Sequence, residues 1–280
     1  MATPRGQAPA PDVRRSCLPT RGALPQTVLP SWVGEVRHMR ILVTGSADGL
    51  GRAAAETLLR AGHEVVVHAR NPERLSALDE LIRAGAGAVV GDLAHLGEMR
   101  DVAEQANRLG RMDAVIHNAG VLGSRAVLPV NVVAPYLLTA LMQRPDRLVY
   151  LSSGMHYSGH ARLAGLDWSG GRATGSYSDS KLLVTTLMAA VAARWPDTLS
   201  NAVDPGWVPT RMGGRGAPDD LRLGHLTQEW LATSEDPDAL TSGGYWHHQR
   251  RREPHPSVHD THFQQDLLDE LARFTGVGLT

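Results

Sequence analysis

From residue 39 onward, short apolar runs alternate with longer stretches of helical period, and a chain with that rhythm can bury its strands only in a parallel sheet covered by helices. Strands are expected at 40–44, 64–68, 88–91, 114–117, 147–152 and 199–203, with one more short strand at 244–246. Helical period marks 50–61, 72–84, 96–109, 130–142 and 176–195; Pro72 opens the second of these and Pro196 stops the last. Beyond Pro205 the pattern loosens into a Gly- and Pro-rich stretch, followed by helices expected at 227–233 and 263–274. Right-handed crossovers then give a doubly wound α/β fold of the Rossmann type: a parallel seven-stranded sheet with helices on both faces, in a single domain over 39–280.

Residues 1–38 read differently. They contain Pro4, Pro9, Pro11, Pro19, Pro25 and Pro30 and no periodic apolar face, so they bury too little to offset their ordering entropy. A disordered Pro/Arg-rich extension is expected there; a targeting peptide would need an amphipathic stripe that is missing. The lone cysteine, Cys17, falls in this stretch, which excludes a disulfide framework or a thiolate zinc site and suits a reducing cytoplasm. With 28 basic against 29 acidic residues, no excess positive charge draws the chain to nucleic acid or anionic lipid. No apolar run reaches the roughly eighteen residues of a membrane span. A cytoplasmic protein with a small-molecule partner is the expectation.

Between the first strand and the first helix stands TGSADGLG, with glycines at 45, 49 and 51. Glycine is needed where the backbone turns with positive φ and where a Cβ would block a diphosphate resting on helix N-terminal amides. Because the run follows a strand and opens a helix, Gly45, Ser46, Gly49, Leu50 and Gly51 are expected to meet a dinucleotide. The spacing T-G-x-x-x-G-x-G resembles that of the classical short-chain dehydrogenase/reductase family, over approximately residues 39–246; Asp48 stands where the sugar-nucleotide branch would want glycine.

In Rossmann sites an acid closing the second strand binds a ribose 2′-hydroxyl, whereas a nearby arginine accommodates a 2′-phosphate. Here Ala69 occupies the acid's place and Arg70 follows, so NADP(H) is the expected cofactor, with NAD(H) as the second option. The resemblance further implies that Asp92 and Leu93 contact adenine. It implies that Asn118, Ala119 and Gly120 brace the sheet beside the cofactor, with His117 a buried structural departure from the pattern. It also implies that Pro205, Gly206, Val208 and Thr210 in PGWVPT clamp the nicotinamide side.

The pattern that carries chemistry is Tyr177 and Lys181, four apart on the long helix and therefore on one face. A free tyrosine titrates near 10, and a neighbouring ammonium favours phenolate. By the family pattern, Tyr177 is the general acid/base and Lys181 its partner and a holder of the nicotinamide ribose; Ser153 orients the substrate and Asn131 anchors a proton relay. The expected activity is interconversion of a carbonyl and an alcohol by hydride transfer. Ser152 competes with Ser153, since strand alternation points only one of them at a pocket; Tyr157 has no lysine four residues on.

Two departures bear on this. The stretch from Gly120 to Asn131 is short for the family, which leaves the oligomeric state open. The stretch from Ser153 to Tyr177 is long and resembles the retinol-dehydrogenase-like branch, which implies lipophilic substrates; Trp168, Trp207 and Trp230 would then either line an apolar pocket or simply pack. His247, His248, His255, His259 and His262 lack metal-ligand spacing, and no metal is expected. Arg250–Arg252 reads as a solvated face. A catalytically silent dinucleotide-binding regulator is the alternative of another class, and epimerase or dehydratase chemistry is disfavoured by the glycine spacing.

Overall fold

The run RILV forms β1 (Arg40–Val43), and its alternation sets both layers of the molecule: Leu42 faces one core, Ile41 and Val43 the other. The computed structural model describes Met1 and residues 38–280, so the extension expected at 1–38 lies, but for its end residues, outside the described residues. Beside β1 run β2 (Glu64–Ala69), β3 (Gly87–Val90), β4 (Ala114–His117), β5 (Arg147–Leu151), β6 (Leu199–Asp204) and β7 (Tyr245–His247), all parallel, in the order β3-β2-β1-β4-β5-β6-β7.

The helices are α1 (Gly49–Arg60), α2 (Asp79–Arg83), α3 (Leu96–Leu109), α4 (Ala134–Leu141), α5 (Tyr177–Arg194), α6 (Leu221–Thr233) and α7 (Thr261–Thr275). Leu58, Leu81 and Leu231 of α1, α2 and α6 join Val65, Val67 and Ile116 on one face of the sheet. Val102, Leu137, Leu187 and Leu271 of α3, α4, α5 and α7 join Val66, Val115 and Leu148 on the other. Helices therefore cover both faces of a doubly wound sheet, as the alternation requires.

The strand count needs one correction. An eighth strand, β8 (Arg250–Arg252), pairs antiparallel with β7 through a tight turn in which His248 and Gln249 both take positive φ. Neither is glycine, so the usual hairpin signal is absent from the sequence. Its three arginines are all exposed, as expected of that run, and they place charge on the sheet edge.

Two helices also begin differently. The segment expected to be helical over 72–84 winds as a 3-10 turn over Pro72–Leu78 before α2, and the carbonyl of Ala77 is taken by the Arg52 guanidinium. The segment 130–142 opens as one π-wound turn, Pro129–Val133, in which the N–H of Ala134 reaches back to the Pro129 carbonyl. Pro135 cannot donate within a regular helix, and the widened turn absorbs that gap. Asn131 sits in this turn.

Candidate active site

The strand order reverses between β1 and β4, and in such sheets ligands bind outside the carboxyl ends of the strands at that point. A cleft of about 820 Å³ opens there, lined by the loops after β1, β2, β3, β4, β5 and β6 and by the start of α5. That volume is in the range of cofactor sites.

The turn after β1 is built so that nothing but glycine fits at two places. Gly45 has φ of 66°, and a Cβ there would lie 2.8 Å from the Ala119 backbone. A Cβ on Gly51 would lie 2.3 Å from the Asn118 amide nitrogen and 2.6 Å from the Gly45 carbonyl. The backbone is thus free to approach a diphosphate above α1, and the residues present fit a dinucleotide. Asn118 braces this turn by donating to the carbonyl of Thr44 at 2.9 Å, and Ala119 N–H donates to Thr44 Oγ1 at 3.0 Å.

Ser46 does not face the cleft with its side chain. Its buried hydroxyl donates to the Val43 carbonyl at 2.8 Å and accepts from His68 N–H at 2.8 Å, which pins the turn to β2. The sequence reading missed His68. Its Nδ1 accepts the N–H of Gly45 at 3.0 Å, which leaves the proton on Nε2 to reach the Gly91 carbonyl at 2.9 Å. Burial holds the ring below the ordinary histidine range, so it stays neutral in that role.

At the end of the cleft beyond β2 and β3, Arg70 lies 4.0 Å from Asp92, and Leu93 joins the lining. Arg74, which the sequence reading also missed, lines the same end and donates to Asp48 at 3.0 Å. The cap that Asn71 places on Arg74 N–H begins the 3-10 turn and brings this second guanidinium over the cleft.

At the other end, α5 starts with Tyr177, held by a capping box between Ser176 and Asp179. Lys181 follows one turn later, is fully buried and donates to the Leu151 carbonyl at 2.6 Å; its Nζ lies 5.4 Å from the Tyr177 ring centre. The Ser153 side chain lies beside the Tyr177 phenol and favours its ionised form, while Ser153 Oγ accepts the N–H of Met155 at 3.2 Å. Ser152 is turned away: its hydroxyl is 2.6 Å from Thr185 Oγ1 inside α5. Only Ser153 is left to face Tyr177. Asn131 lies nearby but is committed to the main chain, accepting from Val121 N–H at 2.9 Å and donating to Val121 O at 3.1 Å and to Ser180 Oγ at 2.9 Å.

Burial pushes Tyr177 up to about 12; the Ser153 side chain opposes this and the Asp204 carboxylate adds to it. Burial also brings Lys181 down to about 8, partly offset by Asp204. Asp204, at the end of β6, is a further residue missed in the sequence. Its Oδ1 accepts from Gly206 N–H at 3.0 Å, while Oδ2 lies 3.4 Å from His247 Nδ1 and 3.1 Å from where a side chain on Gly154 would begin.

Beyond β6, Pro205 and Thr210 line the cleft, joined by Arg211 and Met212, whereas Val208 is buried beneath. The tryptophans do not build a common pocket. Trp168 lies in the core, Trp230 packs edge-on against Trp246 at 5.1 Å, and the exposed Trp207 donates to the Gly213 carbonyl at 2.8 Å. His117 is structural as expected: it stacks on Tyr150, meets Thr139 Oγ1 at 3.1 Å and is pushed by burial down to about 3.

The family model for short chain dehydrogenase matches residues 39–143. An uncharacterized oxidoreductase of Emericella nidulans is 37% identical over 86% of this chain and 98% of its own length. The short-chain dehydrogenase chry4 of Gibberella zeae is 35% identical over the same shares. Among solved structures, a short chain dehydrogenase from Shigella flexneri complexed with NADP superimposes with a TM-score of 0.60 at 25% identity, over 76% of this chain and 97% of that one. The cleft, with its glycine turn at one end and a tyrosine–lysine pair at the other, defines a dinucleotide-dependent oxidoreductase. The chain belongs to the short-chain dehydrogenase family.

Proposed function

We propose that this oxidoreductase reduces a carbonyl to an alcohol with NADP(H) in preference to NAD(H), Tyr177 delivering the proton. The observation that carries the reading is the placement of Tyr177 and Lys181 in the cleft, with the Ser153 side chain beside the phenol, which burial holds protonated up to about 12. A bound nicotinamide nucleotide supplies the hydride. The chain's own part is to receive and orient the substrate oxygen between Ser153 Oγ and Tyr177 Oη and to donate the phenolic proton as negative charge develops there. Lys181 stands one turn behind the phenol, its ammonium anchored on Leu151 O, and with Asn131 connects Tyr177 to solvent, from which the phenol recovers its proton; Asn131 shapes this route by fixing the Val121 backbone and Ser180.

The turn Gly45–Gly51 and Leu50 seat the diphosphate, Asp92 and Leu93 the adenine, and Asn118, Ala119, Gly120, Pro205, Gly206 and Thr210 the nicotinamide half. A 2′-phosphate is matched by two guanidiniums, Arg70 and Arg74, at the end of the cleft where an NAD-binding site would carry an acid. The mouth is apolar: Leu122 and Met212 line the cleft and are exposed, which suits a lipophilic carbonyl.

The test is a screen of the purified protein with NADPH and NADH against aldehydes, ketones and quinones, followed by nicotinamide absorbance. Turnover with NADPH is expected, with a preference of at least about tenfold over NADH from the two charge-assisted phosphate contacts. Tight NADPH binding without turnover across the panel would favour the silent regulator, and preference for NADH would remove the role given to Arg70 and Arg74.

A further inference from the structure

The turn that follows Ser153 carries a histidine outside every motif above. His156 is fully buried, and it grips one carbonyl twice: its main-chain N–H donates to Ser153 O at 3.0 Å and its Nδ1 donates to the same oxygen at 2.8 Å. On the far side of the ring, Nε2 accepts the N–H of His255 at 3.0 Å. These partners fix the tautomer, since a carbonyl can only accept and a backbone N–H can only donate. The ring is wedged between Tyr157 and Tyr245, with ring centres 4.0 and 4.5 Å away, and the Tyr157 hydroxyl donates to the Glu253 carbonyl. The turn Gly154–Ser158 and the segment 253–256 that leads into α7 are therefore tied at two points.

We propose that His156 is a positioning residue: it locks the Ser153 main chain so that the hydroxyl faces Tyr177, and it fastens segment 253–256 to the turn Gly154–Ser158. This rests on the roles proposed above for Ser153 and Tyr177. Ser153 is extended, with φ of −170° and ψ of 153°, and relative to a carbonyl held in the turn, rotation about ψ would swing the side chain and carry the hydroxyl off the phenol. Two hydrogen bonds to its carbonyl oppose that rotation. Placement of this kind matters because about 1 Å of misalignment between reacting groups costs on the order of 100-fold in rate.

The two halves of the role separate in two substitutions. In His156→Asn the amide NH₂ reproduces the donation to Ser153 O but falls short of His255. In His156→Gln the amide oxygen reaches the His255 N–H but the donation to Ser153 O is lost. With NADPH and para-nitrobenzaldehyde or phenanthrenequinone as probes, His156→Gln is expected to lose about tenfold in kcat with NADPH affinity unchanged. His156→Asn should lose less than about threefold in kcat and speed amide exchange across 253–258, a readout independent of turnover. Equal kcat losses in both variants, or parental kcat in His156→Gln, would overturn the proposal, as would exchange across 253–258 that does not differ between them. Should either variant fail to fold, the half-exposed Tyr157→Phe cuts the second tie; it is expected to speed the same exchange with kcat within about threefold of the parent, and unchanged exchange would count against the fastening of 253–256. Tyr177→Phe run beside them separates the failures: full turnover in that variant undoes the site reading itself, whereas its loss beside an unimpaired His156→Gln condemns only the role of His156.

Discussion

Replacing Lys181 with methionine should make the protein more stable while removing its activity. Lys181 is 4% exposed and its ammonium has one close acceptor, the Leu151 carbonyl, so its charge is poorly repaid for leaving water. Burial lowers it from 10.5 to about 8, which at about 1.4 kcal/mol per unit is a penalty of about 3 kcal/mol at neutral pH. The carbonyl left without its donor returns about 1 kcal/mol of that. A net gain of about 2 kcal/mol corresponds to a Tm roughly 4–8 °C higher for a domain of this size. The sign with pH follows from the lowered value. The unfolded chain holds the Lys181 proton up to 10.5 and the folded chain only to about 8, so the penalty is full below about 8 and fades between 8 and 10.5. Thermal melts of parent and Lys181→Met across that window should therefore converge as pH rises. A lower Tm for the variant at pH 7, or a gap that does not narrow on the alkaline side, would refute the reasoning.

Arg74→Ala should raise the NADPH dissociation constant about tenfold and leave that of NADH unchanged, whereas Asp48→Asn, which removes the carboxylate 3.0 Å from Arg74, should tighten NADPH a few-fold; calorimetry with both nucleotides decides, and equal effects on both would end the phosphate assignment. Carbonyl reduction should decline above about pH 8 as Lys181 loses its proton, and Asp204→Asn, lacking the carboxylate that favours the ammonium, should move that decline to lower pH; a pH profile with the limb unmoved would separate Asp204 from the site.

The sheet was legible because each parallel strand is buried on both faces and must read as a continuous apolar run; VVVHA and RLVYL leave little room for another assignment. β8 was not legible, because three exposed arginines carry no burial pattern and their turn uses His248 and Gln249. The front of α6 was missed because Gly224 interrupts its period, although Asp220 caps it on Arg222 and Leu223 N–H. At the site, spacing brought Tyr177 and Lys181 together through one helix, and Ser153 through one strand end. Arg74, His68, Asp204 and His156 escaped because each also meets a partner far along the chain, at Asp48, Gly91, His247 and His255 respectively, and nothing in the local pattern marks those pairings. Asp204 was the nearest to legible, standing just before the Pro205–Gly206 turn. The choice between Ser152 and Ser153 needed coordinates, since it depends on which hydroxyl Thr185 captures.

The role given to Tyr177 is tested most directly by Tyr177→Phe, with NADPH affinity and carbonyl turnover measured on the same preparation. The expected outcome is parental NADPH affinity with kcat reduced about 10² to 10⁴-fold, the contribution of a positioned proton donor. Turnover within a few-fold of the parent would contradict it.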